Sequence, residues 1–480
     1  MFYKSLVGGL VAALLTQVSM AQNAQSVVAE ASHAIGADTV KSVQYSATGF
    51  DFAFGQAPNP GAPWPKFIEK SYTRTIDFET PASRVDRVRL QGENPPRGGG
   101  GQPLVGEQSQ SQTTVVSPGT PWAQEVEIWI TPHGFLRAAA RKDTTATTRS
   151  INGKNYTVVT FTGNNHAKVN GYINSRNEVE RVETWIDTPV LGDTHLEATY
   201  SDYRDVNGAR FPSHIVQSEG DYPILDLQVS DVKVNLPANI KADAASSSAN
   251  AQASNPLAQS EKLGDGVYLI TGGYAVIAVD FKDHITLFES GQSDARAAAV
   301  ISEAKRVIPG KPIRYVVNTH SHFDHSGGLR AVSAEGATIL TYELNRAYLE
   351  KVLSQPRTLN PDVAQQQGKK PKVEGVGEKT VLSDGTHVVE VYHLPALPHH
   401  DGMLVAYFPK EKVLLEADAY NPQPVGSTRP NPANPNTLIL LDNIQRLHLD
   451  VQRIIPVHYP ADNRAVTVAE LTSWVGRSGS

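Results

Sequence analysis

Thr319-His320-Ser321-His322-Phe323-Asp324-His325-Ser326-Gly327-Gly328 packs three imidazoles and a carboxylate into six consecutive positions. The run before it, Ile313-Arg314-Tyr315-Val316-Val317-Asn318, is short, β-branched and aromatic, which reads as a buried strand. Gly327-Gly328 then open a helix. The cluster therefore occupies a strand-to-helix loop, where neighbouring side chains can converge. His320 and His322, two apart on extended chain, reach one point, while Asp324 and His325 fall past the bend and aim at a second. Neutral imidazole and carboxylate are good donors to zinc and similar first-row ions. The plain alternative is a polar loop with stray histidines.

The His-x-His-x-Asp-His run resembles the signature of the metallo-β-lactamase superfamily of metallohydrolases. Three further motifs extend the resemblance over about residues 261–476. In Leu397-Pro398-His399-His400-Asp401-Gly402, His399 lies three residues before the glycine, the usual spacing, with His400 as the competing choice. Val413-Leu414-Leu415-Glu416-Ala417-Asp418-Ala419-Tyr420 resembles the strand that ends in a bridging aspartate, although Ala417 stands where glycine is common. Arg453-Ile454-Ile455-Pro456-Val457-His458 is an apolar strand ending in histidine.

The resemblance implies an αββα sandwich with metals at one edge of the sheets. It implies one site from His320, His322 and His399, another from Asp324, His325 and His458, and Asp418 between them. Two zinc ions per chain are expected, and iron or manganese also suit these donors. Such a pair shares a hydroxide, lowering the pKa of that water from about 15.7 towards about 7. The hydroxide attacks the carbonyl or phosphoryl centre of a lactone, lactam, thioester or phosphodiester. Asp324 is also a candidate for orienting the nucleophile, with the ligand role preferred. Tyr420 either points its phenol at the substrate or packs as a core aromatic. Glu289 either orients a ligand imidazole or caps a loop. A mononuclear iron dioxygenase on the same fold and a non-catalytic periplasmic binding protein are the competing readings.

The chain has 480 residues, enough for two domains. Net charge is -6 with no long basic run, so a small-molecule substrate is expected and nucleic acid is not. There is no cysteine, which excludes a thiolate metal ligand, a disulfide and a lipidated cysteine anchor. Met1 to Ala21 reads as a cleaved signal: one lysine, an apolar run from Leu6 to Val18, then Ser19-Met20-Ala21. That predicts an exported protein, periplasmic or secreted, with no integral membrane span after cleavage. An uncleaved anchor is the rival reading.

Residues 22–240 read as a β-rich domain, giving an α+β protein overall. A helix is predicted over 22–36, from the spacing of Val27, Val28, Ala31 and Ile35, with Gly36 to stop it. Alternating segments follow, Lys66–Phe78, Arg84–Leu90, Glu125–Ile130, Tyr156–Phe161, Val179–Ile186, His195–Tyr203 and Leu225–Val234 among them, with Asn207-Gly208 as a turn. They predict one large curved antiparallel sheet. Tyr200 to Pro212, with Val232-Lys233-Val234-Asn235, resembles periplasmic lipoprotein-carrier-like half-barrels, which implies an apolar ligand on the concave face; a purely structural sheet is the alternative. The Gly-, Pro-, Gln- and Ser-rich stretch 93–119 reads as a disordered loop, and 241–260 as a linker.

Overall fold

The computed structural model describes residues 24–93, 97–98, 106–220, 222–241 and 257–477. The signal read over 1–21 and most of the linker lie outside the described residues. Eleven strands between Ser42 and Val234 form one antiparallel sheet. Period-two burial drives it: along Gly192–Val206 nine residues alternate between buried and half-buried before the strand runs into solvent. The Asn207-Gly208 turn has φ of 49° and 84°, as a two-residue hairpin turn demands. The first strand, Ser42–Phe52, pairs with the last, Tyr222–Val234, in the middle of the sheet.

A helix over 24–35 lays Ala24, Val28, Ala31 and Ile35 into the core of this domain. Two more helices, Trp122–Trp129 and Pro132–Ala139, share that core through Trp122, Val126, Phe135 and Leu136. The strand expected at Glu125–Ile130 is therefore a helix. Val126, Ile128 and Ile130 satisfy a two-residue period, but Trp122 and Val126 are also one helical turn apart. The Trp122 indole donates to Trp185 O at 3.1 Å, pinning the helix to the sheet. Within the stretch 93–119, part of which lies outside the described residues, Gln108–Val115 departs from expectation as an edge strand paired with Ala82–Gln91. Its polar side chains bury little, and the backbone ladder supplies the order that composition does not suggest.

The C-terminal region holds two mixed sheets, of seven strands over residues 259–376 and five over 379–456. Their facing sides form one core containing Leu269, Ile277, Phe288, Val391, Leu404, Leu415 and Ile455. The helices Asp294–Val307 and Glu343–Leu353 cover the outer face of the larger sheet, through Val300, Leu349 and Val352 packed on Ile270, Val276 and Ile339. Pro435–Arg446 and Val468–Trp474 pack together and supply Leu440, Leu441 and Leu471 to the shared core. Ile313–Val317 runs parallel to both its neighbours, Ile285–Phe288 and Thr338–Tyr342. Val413–Glu416 and Arg453–Pro456 are likewise parallel. Consequently three loops leave the carboxyl ends of parallel strands, and they carry the His320 cluster, Asp418 and His458.

The two regions are firmly joined. Arg357, 3% exposed, donates to both Asp187 oxygens at 2.7 and 2.8 Å and also pairs with Asp294 and Asp362. Val190 is buried in the core beside Ile270 and Val276. Phe54 and Trp64 stack edge-on against each other and against Phe323.

Candidate metal centre

After Val317 the chain turns inward, and His320, His322 and His325 are all buried. The fit is close. A side chain at Gly327 would bring its Cβ to 2.1 Å from the Gln292 carbonyl oxygen, so only glycine lets the loop approach that backbone. Glu289 holds the loop from below. Its φ is 71°, unusual for a non-glycine residue. One oxygen accepts the Thr319 N–H at 2.8 Å and the other lies 3.5 Å from His325 Nδ1. It thus does both of the things expected of it, supporting the loop and facing an imidazole.

Asp418 is the centre of the cluster. Its Oδ2 lies 3.4 Å from His320 Nε2, 3.3 Å from His399 Nε2 and 2.8 Å from His325 Nε2, and its Oδ1 lies 2.8 Å from His458 Nε2. Two groups able to hold a metal result. One is His320, His322, His399 and Asp418; the other is Asp324, His325, Asp418 and His458. The nitrogens fit such ions. His322 Nδ1 is buried without a hydrogen bond, a costly condition that a metal ion relieves, and His325 Nε2 and His458 Nε2 lie against the Asp418 carboxylate. His399 Nε2 and His320 Nε2 face each other at 3.2 Å. Burial, together with neighbouring imidazoles, holds His320 well below its ordinary pKa and His322 down at about 3, so both are neutral lone-pair donors. Burial opposes charge on Asp418, but His458, His399 and His325 hold its carboxyl well below the usual range.

Several residues of the site carry no signal in the sequence. Tyr274 donates its phenol to Asp324 Oδ2 at 2.9 Å, and its ring lies 4.6 Å from that of His458. Gln56, from the N-terminal domain, donates to Asp324 Oδ1 at 2.8 Å. The carbonyl of Ala57 lies 2.8 Å from His322 Nε2, which places the proton on that nitrogen and leaves Nδ1 as the free donor. Phe323 N donates to Gly55 O at 3.2 Å, and Asn59 Nδ2 to Asp401 Oδ2 at 2.8 Å. The sequence contains only one hint of this, the turn-rich Gly55 to Pro65.

Two candidates sort differently. Tyr420, considered for catalysis, is a packed aromatic: it is fully buried and donates its phenol to Glu470 Oε1 at 2.7 Å, on a helix that contributes nothing to the cluster. His400 has both nitrogens engaged, Nδ1 accepting the Gly402 N–H at 2.9 Å and Nε2 meeting Ser321 Oγ at 2.9 Å. His195, isolated in the sequence, lies beside Glu197 of its own strand and Glu183 of the neighbouring one. Glu183 is already bound by Tyr172 and Asn170, so the hydrogen bonding of the sheet accounts for that group.

Residues 271–466 match the model of the metallo-beta-lactamase superfamily. The C-terminal region is thus a metallo-β-lactamase-type fold with histidine and aspartate clusters able to bind metal. Among curated proteins, the chain is similar to the 2,4-dinitroanisole O-demethylase subunit alpha of Nocardioides sp. (strain JS1661), at 27% identity over 219 residues, 44% of this chain. The chain spans 58% of the length of that relative. Solved structures similar to it include a metallo-beta-lactamase from Pontibacter korlensis, 19% identical with a TM-score of 0.35, covering 45% of this chain and 97% of that one. Another is the metallo-beta-lactamase FIM-1 from Pseudomonas aeruginosa in its mono-zinc form, 18% identical with a TM-score of 0.35, covering 46% and 95%. Among the described residues no helix is long and apolar enough to cross a membrane.

Proposed function

We propose that this chain is a metal-dependent hydrolase of a small molecule, with two zinc ions held by His320, His322 and His399 on one side, Asp324, His325 and His458 on the other, and Asp418 between. The observation that supports this most is the gathering of the His320, His325, His399 and His458 Nε2 atoms within 3.4 Å of one buried carboxylate, Asp418. His399 completes the first set because both nitrogens of His400 are already used. When bound, the ions supply Lewis acidity and an activated water. The residues supply the rest. Gln56 and Tyr274 fix the two oxygens of Asp324, Glu289 faces His325, and Ala57 selects the tautomer of His322. Asp324, with both oxygens occupied, is better suited to ligation than to proton transfer.

The substrate panel follows from the fold class: lactones, β-lactams, thioesters and phosphodiesters. Similarity to an O-demethylase subunit adds methyl aryl ethers to that panel. The exported location rests on the reading of residues 1–21. Elemental analysis of the purified protein tests the proposal. Two zinc per chain, with turnover lost to a chelator and restored by zinc without oxygen, is the expected result. One iron per chain with oxygen-dependent turnover supports the dioxygenase instead. A protein that binds no metal overturns both readings and leaves the binding protein.

A further inference from the structure

The N-terminal sheet and the helix Trp122–Trp129 border an open-sided cavity of about 340 Å³, within the range of small-molecule sites and lined by none of the metal-binding residues. Phe52, Phe54, Tyr72, Val85, Leu196 and Ile224 give it an apolar and aromatic wall. Its charges can be paired off. Arg74 donates to Ser83 Oγ and Glu127 O and lies 3.7 Å from the Glu127 carboxylate. Arg87 and Arg89 are matched by Asp51 and Glu69. Three cations thus meet three carboxylates. A fourth carboxylate, Glu219, lines the same cavity, and among the described residues its side chain has no hydrogen bond or ion pair. Burial and then the nearby Glu127 push Glu219 up to about 7, as expected for an uncompensated carboxylate.

We propose that this cavity is a binding site for a small amphipathic cation, an amine or quaternary ammonium with an apolar body. The cationic head would pair with Glu219, the lining carboxylate that no arginine meets, and the body would lie against the aromatic wall. Phe52, Phe54 and Tyr72 also suit a cation through their ring faces. The two arginines that line the cavity are engaged elsewhere, Arg74 by Ser83 and the Glu127 carbonyl and Arg87 by Gln110, Asp51 and Glu69.

Isothermal titration of the full chain at about pH 8.5, where Glu219 is ionised and the amine still protonated, with n-octylammonium, octanoate and octanol as probes, tests this. Octylammonium should bind at least about tenfold more tightly than octanoate, the ratio for one charge-assisted bond. Glu219→Gln should reduce octylammonium affinity about tenfold and leave octanol unchanged. Ala123→Trp, filling the cavity from the exposed side of the helix, should abolish binding of all three, with the fold checked by circular dichroism. If the tryptophan variant fails to fold, the glutamine variant decides alone. Octanoate binding as tightly as octylammonium, no octylammonium binding at millimolar concentration, or unchanged affinity in Glu219→Gln would overturn the proposal.

Discussion

Gln56→Ala asks whether the N-terminal domain is part of the metal centre. The side chain makes one cross-domain hydrogen bond, 2.8 Å to Asp324 Oδ1. A hydrogen bond to a charged group is worth about 1.5–3 kcal/mol. The Asp324 side chain is 28% exposed, so water partly replaces the lost donor and the low end, about 1.5 kcal/mol, applies. At about 1.4 kcal/mol per factor of ten, the affinity for the ion held by Asp324, His325 and His458 should fall about tenfold. The ion held by His320, His322 and His399 should be unaffected, because the contact to His322 comes from the Ala57 carbonyl, which the substitution leaves in place. Equilibrium dialysis against zinc-buffered chelator, with metal content measured at each step, resolves the two ions. Unchanged affinity for both would mean that the loop merely lies against the site. Equal weakening of both would mean that the substitution displaces the whole loop.

Tyr420→Phe should leave turnover within about twofold and cost about 1 kcal/mol of stability, the value of one ordinary hydrogen bond; a loss of activity with metal content intact would return the phenol to the chemistry. His399→Ala should lose metal while staying folded. His400→Ala should keep its metal but melt earlier, since Ser321 and the Gly402 N–H lose a buried partner at about 1–3 kcal/mol; the opposite pattern would exchange their roles. Asp418→Ala should lower occupancy of both metal groups together, because its two oxygens face both, and an ion retained at full occupancy in either would refute the shared position. Arg357→Ala should destabilise the chain by about 3 kcal/mol, the low end for a buried pair, because its partners Asp187 and Asp362 are only partly shielded from water, read as a lower denaturant midpoint; an unchanged midpoint would show that the pairs contribute nothing net.

The site was legible where chemistry is local. Three imidazoles and a carboxylate within six residues suit a metal and little besides, and Asp418 and His458 each close a strand whose apolar run is plain. Tyr274 could not be found the same way, because nothing in the sequence distinguishes it from other strand-edge tyrosines. Gln56 and Ala57 are harder still. They act from 268 and 265 positions away, one of them through a backbone carbonyl that has no sequence signal at all. In the N-terminal domain, alternation identified most strands of the sheet. It misread Glu125–Ile130, where three apolar residues at even spacing fit a helix face as well. Composition misjudged Gln108–Val115, since an edge strand gains its order from ladder hydrogen bonds that polar side chains do not oppose.

The eleven strands are two simple zigzags, in each of which every strand pairs only with its neighbour in the chain. A single seam joins them, where Ser42–Phe52 meets Tyr222–Val234. There the Lys41 N–H donates to Asn235 Oδ1 at 2.7 Å and the Asn235 N–H to Ser42 O at 2.9 Å. Entry and exit are therefore clasped side by side. Neighbour pairings form quickly, whereas the seam must bring distant segments together and should close last. Until it closes, the hairpin in which Phe52 pairs with Lys66 has no fixed place relative to the second zigzag. The stretch that touches His322 and Asp324 is then aimed by the final weld of a sheet that contains none of the metal-binding residues.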